Sequence, residues 1–334
     1  MTRMINRELP HTFWGYRRPD GTVGIRNHLL VVPSVICANT VAQRVAALIP
    51  GAVAVPHPHG CAQVGDDVTL TERMLAGTAA NPNVGAAVVI GLGCETCQAT
   101  DVAKMVRQLA PGKPVESFFI QEAGGSIKAI ARGVEVGKAL MAQIAPQQRE
   151  EIPLSELVLA TECGSLDETA EAASNPTVGA ASELALDAGG TVIVSRSAER
   201  LVDGAPGRQG VLPVAERPAG AGLYVMDTPG QDEVAVTAMA AGGSQVCLFS
   251  TGRGTPMGNA ICPVVKVCGN PHTLETMEDN IDFSTLDLLE GRATKDDLAR
   301  RLFQLAIEVC NGQLTNAEII GHQEFAIHRV GPTV

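Results

Sequence analysis

The feature that most constrains the fold is an alternation of short β-branched runs with alanine-rich stretches of helical periodicity. Parallel strands joined by helical crossovers produce this pattern. We therefore predict the α/β fold class, with two Rossmann-like or flavodoxin-like parallel-sheet domains packed against each other. Strands are predicted at 28–35, 51–57, 85–92, 113–120, 157–162, 190–195, 222–228, 245–251 and 263–269. Helices are predicted at 39–49, 100–110, 128–144, 177–189, 232–242 and 296–312.

A polar segment at 145–156 is the best domain boundary in the sequence. It predicts an N-terminal α/β domain over 1–148 and a C-terminal α/β domain over 149–334. The stretch 197–222 is rich in Pro, Gly and Arg and shows no periodicity, so we predict an irregular loop there.

Composition excludes several classes of partner. The 334 residues carry a net charge of −11 and only 3% aromatics, which argues against binding to a nucleic acid. The N-terminus has no apolar segment typical of a signal peptide. The longest apolar runs are about half the roughly 20 residues of a membrane helix. These features predict a cytoplasmic protein without a membrane partner, whose nine scattered cysteines are reduced thiols.

Four cysteines share one position relative to the predicted strands. Cys37, Cys61, Cys94 and Cys163 each follow a strand, at the edge where doubly wound sheets gather their ligand-binding loops. The alternative is that each is a small buried hydrophobe, the usual state of free cysteine. We prefer that alternative for four others, Cys247, Cys262, Cys268 and Cys310.

Two short motifs suggest thiol or metal chemistry. Cys94 and Cys97 have thioredoxin-like C-x-x-C spacing at a strand-to-helix junction, where a helix N-terminus stabilises a thiolate. In the loop 57–67, His57, Cys61 and Asp66 are fit to bind a transition metal. Their spacing matches no closed zinc site.

A third motif suggests anion binding. Arg253 lies between glycines after a predicted strand, which suits a bidentate clamp on a carboxylate or sulfonate, or else a plain turn. The third glycine of a dinucleotide fingerprint is replaced by Thr96, so NAD binding is not indicated.

Ordered motifs along nearly the whole chain resemble the altronate and galactarate dehydratase family, which also includes the large subunit of sulfolactate sulfo-lyase. The matching stretches are 15–27, 37–40, 57–61, 91–95, 162–164, 175–179, 226–230, 251–255, 263–266, 277–282 and 321–325.

The resemblance implies a lyase that removes water or sulfite from a hydroxylated acid to give a 2-oxo acid. It also implies dependence on iron and reducing conditions, and we expect a homo-oligomer. Because the chain begins directly at the large region of the family, a small partner subunit is expected as well.

The chain departs from the family pattern in three places. The family's Cys-Gly-Gly-Ser-Asp motif is replaced by Cys-Gly-Ser-Leu-Asp at 163–167. Its Met-Asp-Ile-Asn-(Ala/Cys)-Gly motif is replaced by Ile-Asp-Phe-Ser-Thr-Leu at 281–286. Between Val194 and Gly222 the chain lacks a long family segment. All three changes fall in regions expected to contact substrate.

Dehydration of a 2,3-dihydroxy acid requires a base near the α proton, an acid or Lewis acid on the leaving oxygen, and cations for the enediolate. We predict that Cys37, Cys94 and Cys163, together with Cys61, hold iron or an iron–sulfur centre, because thiolates favour such metals. The predicted substrate-binding residues are Arg26, Asn27, Arg253, Thr255 and Lys266.

His57 is the first candidate for proton transfer, since imidazole titrates near neutrality; the alternative is a histidine that stabilises the core or a loop. Glu95 and Asp282 are secondary candidates, for acid–base work or for orienting a ligand. His59 and Asp67 are predicted to be solvated loop residues.

Two other classes of function remain open from the sequence. One is a thiol redox protein that uses Cys94 and Cys97. The other is a catalytically diverged family member that binds an acid or serves as a partner subunit.

Overall fold

The computed structural model describes residues 9–164, 167–205 and 207–332. In this part of the chain the strands are β1 (Thr12–Arg17), β2 (Val23–Gly24), β3 (His28–Pro33), β4 (Ala52–Ala54), β5 (Val84–Gly91), β6 (Val115–Phe119), β7 (Glu150–Pro153), β8 (Val158–Gly164), β9 (Thr191–Ser195), β10 (Arg208–Leu212), β11 (Gly222–Met226), β12 (Val246–Thr251), β13 (Val264–Cys268) and β14 (Phe283–Ser284). The α-helices are α1 (Asn39–Ala47), α2 (Asp66–Ala80), α3 (Ala99–Leu109), α4 (Ile120–Ala123), α5 (Ser126–Ile144), α6 (Asn175–Asp187), α7 (Asp232–Ala241), α8 (Pro271–Thr276), α9 (Leu286–Leu289), α10 (Lys295–Cys310) and α11 (Asn316–Ile320).

The first sheet is parallel, with the strand order β4-β3-β5-β6. Apolar side chains alternate between its two faces, as the two-residue period of a strand requires. Leu29 and Val31 face α1 and α5, whereas Leu30 and Val32 face α2 and α3. This is the flavodoxin-like strand order. The direction in which successive strands are added to the sheet reverses between β3 and β5.

The second sheet has the order β10-β11-β9-β8-β12-β13-β14, and all of its strands are parallel. Its central part follows the Rossmann order and reverses direction between β8 and β12. Helices α6 and α10 cover one face, and α7 packs on the other.

The two sheets share one apolar core. Helix α2 from the first sheet packs against α7 from the second, with Gly77 against the backbone of Ala241. At the end of α2, Asn81 donates hydrogen bonds to Ala240 O and Ser244 O, at 2.7 and 2.8 Å. The predicted α/β class, with two parallel sheets packed together, is confirmed.

A small antiparallel sheet ties the start of the chain to the segment between the large sheets. Its order is β2-β1-β7, and Phe13 pairs with Ile152. The large sheets contain strands from 28–119 and 158–284 respectively, and the exact domain limits near 148 stay a prediction. No helix among the described residues is both long and apolar enough to cross a bilayer.

The prediction of an irregular loop at 197–222 was wrong in part. It contains a short 3₁₀ helix, Glu199–Val202, and the edge strand β10. An edge strand pairs on one side only, and β10 is mostly exposed. It therefore lacks the apolar alternation by which buried strands are recognised.

Candidate functional site

Ligands in open α/β sheets bind at the carboxyl ends of the strands where the strand order reverses. In the first sheet this point lies between β3 and β5, which lead to Cys37 and Cys94. In the second it lies between β8, which contains Cys163, and β12, which leads to Arg253. Many of the predicted residues therefore lie at the ends of strands, but these strands belong to two different sheets.

Gly60 joins three loops at the first of these points. Its carbonyl accepts the backbone N–H of Thr96 at 3.1 Å, and the preceding carbonyl, of His59, accepts that of Ile36 at 2.9 Å. Its φ is +98°, and a Cβ there would lie 2.1 Å from Ser34 O. Only glycine fits this approach.

Three of the four predicted metal ligands are carried by these joined loops. Cys37, Cys61 and Cys94 are all exposed. Cys163 is instead buried at the end of β8, and burial raises the pKa of its thiol to about 11. Across the residues that the structure describes, no group of three or more His, Cys, Asp or Glu side chains is arranged to hold a metal. The arrangement therefore does not fit the predicted four-cysteine iron site.

The predicted C-x-x-C pair is also divided. Cys94 is exposed, whereas Cys97 is fully buried, and burial raises the pKa of the Cys97 thiol far above its ordinary value. A thiol of this kind is a poor nucleophile or resolving group.

The contacts of His57 favour the loop-stabilising interpretation over proton transfer. Its Nε2–H donates to Pro33 O at 2.7 Å, and its Nδ1 accepts the backbone N–H of His59 at 3.2 Å. Burial lowers the pKa of His57 to about 4. Both ring nitrogens of a neutral imidazole are thus used by the backbone.

Glu95 shapes the same loops. It is buried, and its carboxylate accepts hydrogen bonds from Ser34 Oγ at 3.0 Å and from the backbone N–H of Gly93 at 2.6 Å. These contacts make Glu95 a support of the loop that carries Cys94.

Arg26 and Asn27, two predicted substrate-binding residues, bind other parts of the protein instead. Arg26 is buried in an ion pair with Glu318, at 2.7 Å between Nε and Oε1. Asn27 donates to Ile144 O at 2.9 Å and accepts from Arg18 at 2.8 Å. Their hydrogen-bonding groups are occupied, so the structure does not support a substrate-binding role for them.

The loop after β12 keeps the features of an anion clamp. Arg253 is exposed, and no polar partner for its guanidinium occurs among the described residues. Thr255 is half-buried, and its hydroxyl accepts the backbone N–H of Met257 at 3.2 Å. The role of Arg253 as an anion ligand stays a prediction.

A segment at 322–331 crosses the ends of both sheets. At one end, the Asp67 carboxylate accepts the N–H groups of Val330 and Gly331, at 3.0 and 2.7 Å. Next to it, His59 Nε2 donates to Ile327 O at 2.8 Å. Both His59 and Asp67 are buried, so the prediction that they are solvated was wrong; the crossing segment covers them.

The other half of this segment lines a cleft of about 330 Å³. Residues 323–326 form one wall, Pro56 from the first sheet forms another, and Gln231 and Glu233 at the start of α7 form the third. The cleft is thus built from both sheets and from the crossing segment.

Glu324 is one of two glutamates on the cleft wall, the other being Glu233. The Oε2 of Glu324 accepts the backbone N–H of Gly258 at 2.8 Å, and its Oε1 accepts from His322 Nδ1 at 2.9 Å. Partial burial raises the pKa of Glu324, but these hydrogen bonds outweigh burial and hold the pKa below its ordinary value.

Asp232 lies in the sequence between the cleft residues Gln231 and Glu233, and its pKa is displaced in the opposite direction. Burial, reinforced by the neighbouring charge of Glu233, raises the pKa of Asp232 to about 6. Its carboxylate packs against the end of β8, where a Cβ on Gly164 would lie 2.2 Å from Oδ2.

Glu162 is buried beneath Asp232. Burial raises the pKa of Glu162 to about 7, although Cys163 N–H and the hydroxyls of Ser195 and Ser197 donate to its Oε1. Its Oε2 is buried without a hydrogen-bond partner among the described residues.

Lys266 is buried beneath Glu324. Its ammonium donates to Met257 O at 3.1 Å, and its backbone N–H donates to Asp282 Oδ2 at 2.7 Å. Burial lowers the pKa of Lys266, while the charges of Asp282 and Glu324 raise it again in part. Asp282 has both oxygens bound by backbone N–H groups, of Lys266 and Asn316, and its role in acid–base work or in orienting a ligand stays a prediction.

Sequence reasoning did not assign roles to four residues of this site, Glu162, Asp232, His322 and Glu324. Three of them lie in stretches that matched the family, at 162–164 and 321–325, so the signal was present but carried no role. Asp232 opens a helix after a strand, and that position alone was not distinctive. Ser165 and Leu166, where the chain departs from the family motif, lie outside the described residues.

Comparisons with known proteins match both halves of the chain. The second domain of D-galactarate dehydratase/Altronate hydrolase matches residues 15–145. The D-galactarate/Altronate dehydratase C-terminal model matches 154–205 and 203–333. The two pieces meet inside the region, 194–222, where the sequence lacks a family segment.

Several characterised relatives align over most of the chain. The (2R)-sulfolactate sulfo-lyase subunit beta of Chromohalobacter salexigens is 33% identical, over 96% of this chain and 97% of that protein. The altronate dehydratases of Bacillus subtilis and Escherichia coli are each 29% identical, over 97% and 96% of this chain and 78% of each enzyme. These alignments run over 384 to 399 positions, more than the chain has residues, so the relatives contain segments that the chain lacks.

Among solved structures, the E. coli heptosyltransferase WaaC with ADP aligns with 84% of this chain and 99% of that chain at 11% identity. The TM-score is 0.27, which supports no conclusion. The two domain models together match most of the sequence, and they agree with the relatives. The chain belongs to the D-galactarate dehydratase and altronate hydrolase family.

Proposed function

We propose that the protein is a lyase that eliminates water or sulfite from a small hydroxylated acid at the cleft between its two sheets. Its relatives are named as dehydratases and as a sulfo-lyase subunit. The observation that carries the proposal is the placement of Glu324 on the cleft wall and of Asp232 between the cleft residues Gln231 and Glu233. The pKa values of the two carboxyls are displaced in opposite directions. Such pairs divide the roles of base and acid between two otherwise similar groups.

In the proposed reaction, Glu324 takes the proton from the carbon next to the substrate carboxylate. The electrons of that bond form the double bond, and the bond from the β-carbon to the hydroxyl breaks. The hydroxyl takes a proton from Asp232 and leaves as water. The enol then tautomerises to a 2-oxo acid. Sulfite leaves as an anion from the same position and needs no proton to depart.

Arg253 is the proposed ligand of the substrate's acid group. It extends from the end of β12, next to the strand that carries Glu162, and it is exposed. A guanidinium binds a carboxylate or a sulfonate with two parallel hydrogen bonds.

Altronate, galactarate and sulfolactate form the substrate panel, with 2-oxo acid and sulfite as the products measured. We expect one of the three to be converted. Glu324→Gln and Asp232→Asn should each reduce kcat by roughly 10²-fold to 10⁴-fold. The control Glu275→Gln replaces an exposed carboxyl on α8 and should leave kcat unchanged. Full activity in Glu324→Gln would rule out this assignment of the base.

Iron remains a separate proposal, because the cysteines do not form the site predicted for it. Anaerobic purification followed by iron and acid-labile sulfide analysis tests it directly. Cys94→Ser should lose iron if the thiols bind it. Full iron occupancy in that variant would exclude Cys94 as a ligand.

A small partner subunit is proposed because one relative that aligns over nearly its full length is named as a subunit. We also propose a homo-oligomer. Native mass measurement of the protein purified from its own cells should show a mass above 34.8 kDa, and dissociation should release a second, smaller chain.

A catalytically diverged protein is the second candidate, favoured by the missing segment near 203–205. It predicts that a panel acid raises the Tm while no product forms.

A further inference from the structure

One peptide group connects two charged side chains behind the cleft. Lys266 Nζ donates to Met257 O at 3.1 Å, and the N–H of the same peptide, on Gly258, donates to Glu324 Oε2 at 2.8 Å. The second carboxylate oxygen accepts from His322 Nδ1 at 2.9 Å. Both carboxylate oxygens of Glu324 are therefore hydrogen-bonded. One accepts from the peptide group that also binds the Lys266 ammonium, and the other accepts from the His322 imidazole.

This arrangement leaves little freedom for the residues that compose it. A Cβ on Gly258 would lie 2.5 Å from His322 O, so the backbones of the two segments are in close contact. Helix α11, which precedes His322, is fixed at its start by the hydrogen bond from Asn316 N–H to Asp282. Asp282 in turn accepts the backbone N–H of Lys266.

The charges around Glu324 and Lys266 have a definite distribution. Lys266 is faced by two carboxylates, Glu324 and Asp282, and it is 0% exposed. Across the cleft, α7 contributes the carboxyl group of Glu233 to the wall. Opposite charges within a few ångströms stabilise each other's ionised forms. Lys266 and His322 are the cationic or proton-donating groups in this set.

We infer that Lys266 and His322 are positioning residues, which hold Glu324 ionised and fixed at the cleft from two sides. The inference rests on the proposed function, in which Glu324 is the base. It replaces the acid-binding role that the sequence predicted for Lys266, since an amine buried beneath the Met257 peptide does not contact a substrate in the cleft. The imidazole of His322 is partly exposed.

The pH profile of kcat/KM separates positioning from mere structural support. Lys266→Met and His322→Ala each remove a group that favours the ionised form of Glu324. The acid limb of the profile should therefore move to higher pH, by about one pH unit. His322→Gln retains a neutral hydrogen-bond donor, so it should recover most of kcat while leaving the acid limb displaced.

Matched controls exist for both side chains. Lys113 is another buried lysine, whose ammonium donates to Ala79 O and Asn81 O at the far end of α2. His272 is exposed on α8. Lys113→Met and His272→Gln should leave the acid limb where it is, even if Lys113→Met lowers the Tm.

A second measurement does not depend on turnover. The side-chain carboxyl of Glu324 is followed by ¹³C NMR in the full-length protein labelled at glutamate, with Glu324→Gln to assign its signal. Its titration midpoint should rise in both Lys266→Met and His322→Ala. Lys266→Gln serves as the second variant if Lys266→Met fails to fold.

The outcomes distinguish this inference from the proposed function. An unmoved acid limb together with an unmoved NMR midpoint would overturn the positioning role, even if Glu324→Gln abolishes turnover. Conversely, a raised midpoint in a protein that converts no acid of the panel would support the positioning of Glu324 while refuting the lyase.

Discussion

Glu162 and Lys266 occupy the same register position on β8 and β13, on either side of Phe249 in β12. Side chains in register on neighbouring parallel strands point to the same face of the sheet. A buried acid and a buried amine therefore lie in one row, Glu162 near Asp232 and Lys266 near Glu324. Charged side chains are rarely buried so fully, and buried groups with displaced pKa values cluster at functional sites.

Glu162 should make stability depend on pH. Its pKa in the folded state, about 7, is above the ordinary 4.5, so the favourable neutral form is fully present below 4.5 and is lost as pH rises through 7. The unfolding free energy should fall by roughly 3 kcal/mol over this window on account of Glu162. Glu162→Gln should flatten the dependence. Urea unfolding at pH 4.5 to 8 measures this; equal slopes in the variant and the parent would contradict it.

Gly60 should tolerate no side chain. Gly60→Ala places a Cβ 2.1 Å from Ser34 O at a φ of +98°, so both a clash and backbone strain result. Gly65 has a φ of +60° but open space around it, which makes Gly65→Ala a control for strain alone. We expect Gly65→Ala to cost roughly 1–3 kcal/mol and Gly60→Ala distinctly more. Thermal unfolding of the two variants would refute the packing argument if their losses were equal.

Three thiols should react quickly in the native protein. Cys37, Cys61 and Cys94 are exposed, whereas the other six cysteines are buried. Titration with a thiol reagent should count three fast groups before denaturation and nine afterwards. Iron bound by these loops would protect the fast groups. A fast count that includes Cys97 would show that its surroundings open more readily than the structure indicates.

We expect the loss of Arg253 to affect KM and the loss of Arg26 to affect the Tm. Arg253→Ala removes an exposed guanidinium and should raise KM by roughly tenfold or more while leaving the Tm unchanged. Arg26→Ala breaks a buried ion pair with Glu318 and should lower the Tm. Arg44→Ala, on the exposed side of α1, controls for the loss of surface charge. An unchanged KM in Arg253→Ala would exclude the clamp.

The sequence predicted elements with strong local patterns. Nine strands and six helices were located from their periodicity, because buried parallel strands form apolar runs and most of these helices have one apolar face. Helix α2 was missed. It packs between both sheets, so its buried residues surround it and leave no single apolar stripe.

The site was harder to predict, for reasons of register and distance in sequence. The row of Glu162, Phe249 and Lys266 depends on how three strands align, and no local pattern records that alignment. Likewise, His57 looked catalytic because its residue type suits proton transfer, but its partners Pro33 and His59 became visible only in the structure. The cysteines do lie at the carboxyl ends of strands, as predicted. They are divided between two sheets, however, and the sequence did not indicate which sheet carries each one.

The crossing segment at 322–331 has a consequence for synthesis of the protein. Pro56 and Phe325 stand on opposite walls of one cleft although about 270 residues separate them. During synthesis on the ribosome, the first sheet can fold long before Phe325 emerges. The nascent chain then contains the Pro56 side of the cleft but lacks the wall formed by residues 323–326. Two separately expressed halves would each lack the complete cleft, and mixing them would be required to restore it.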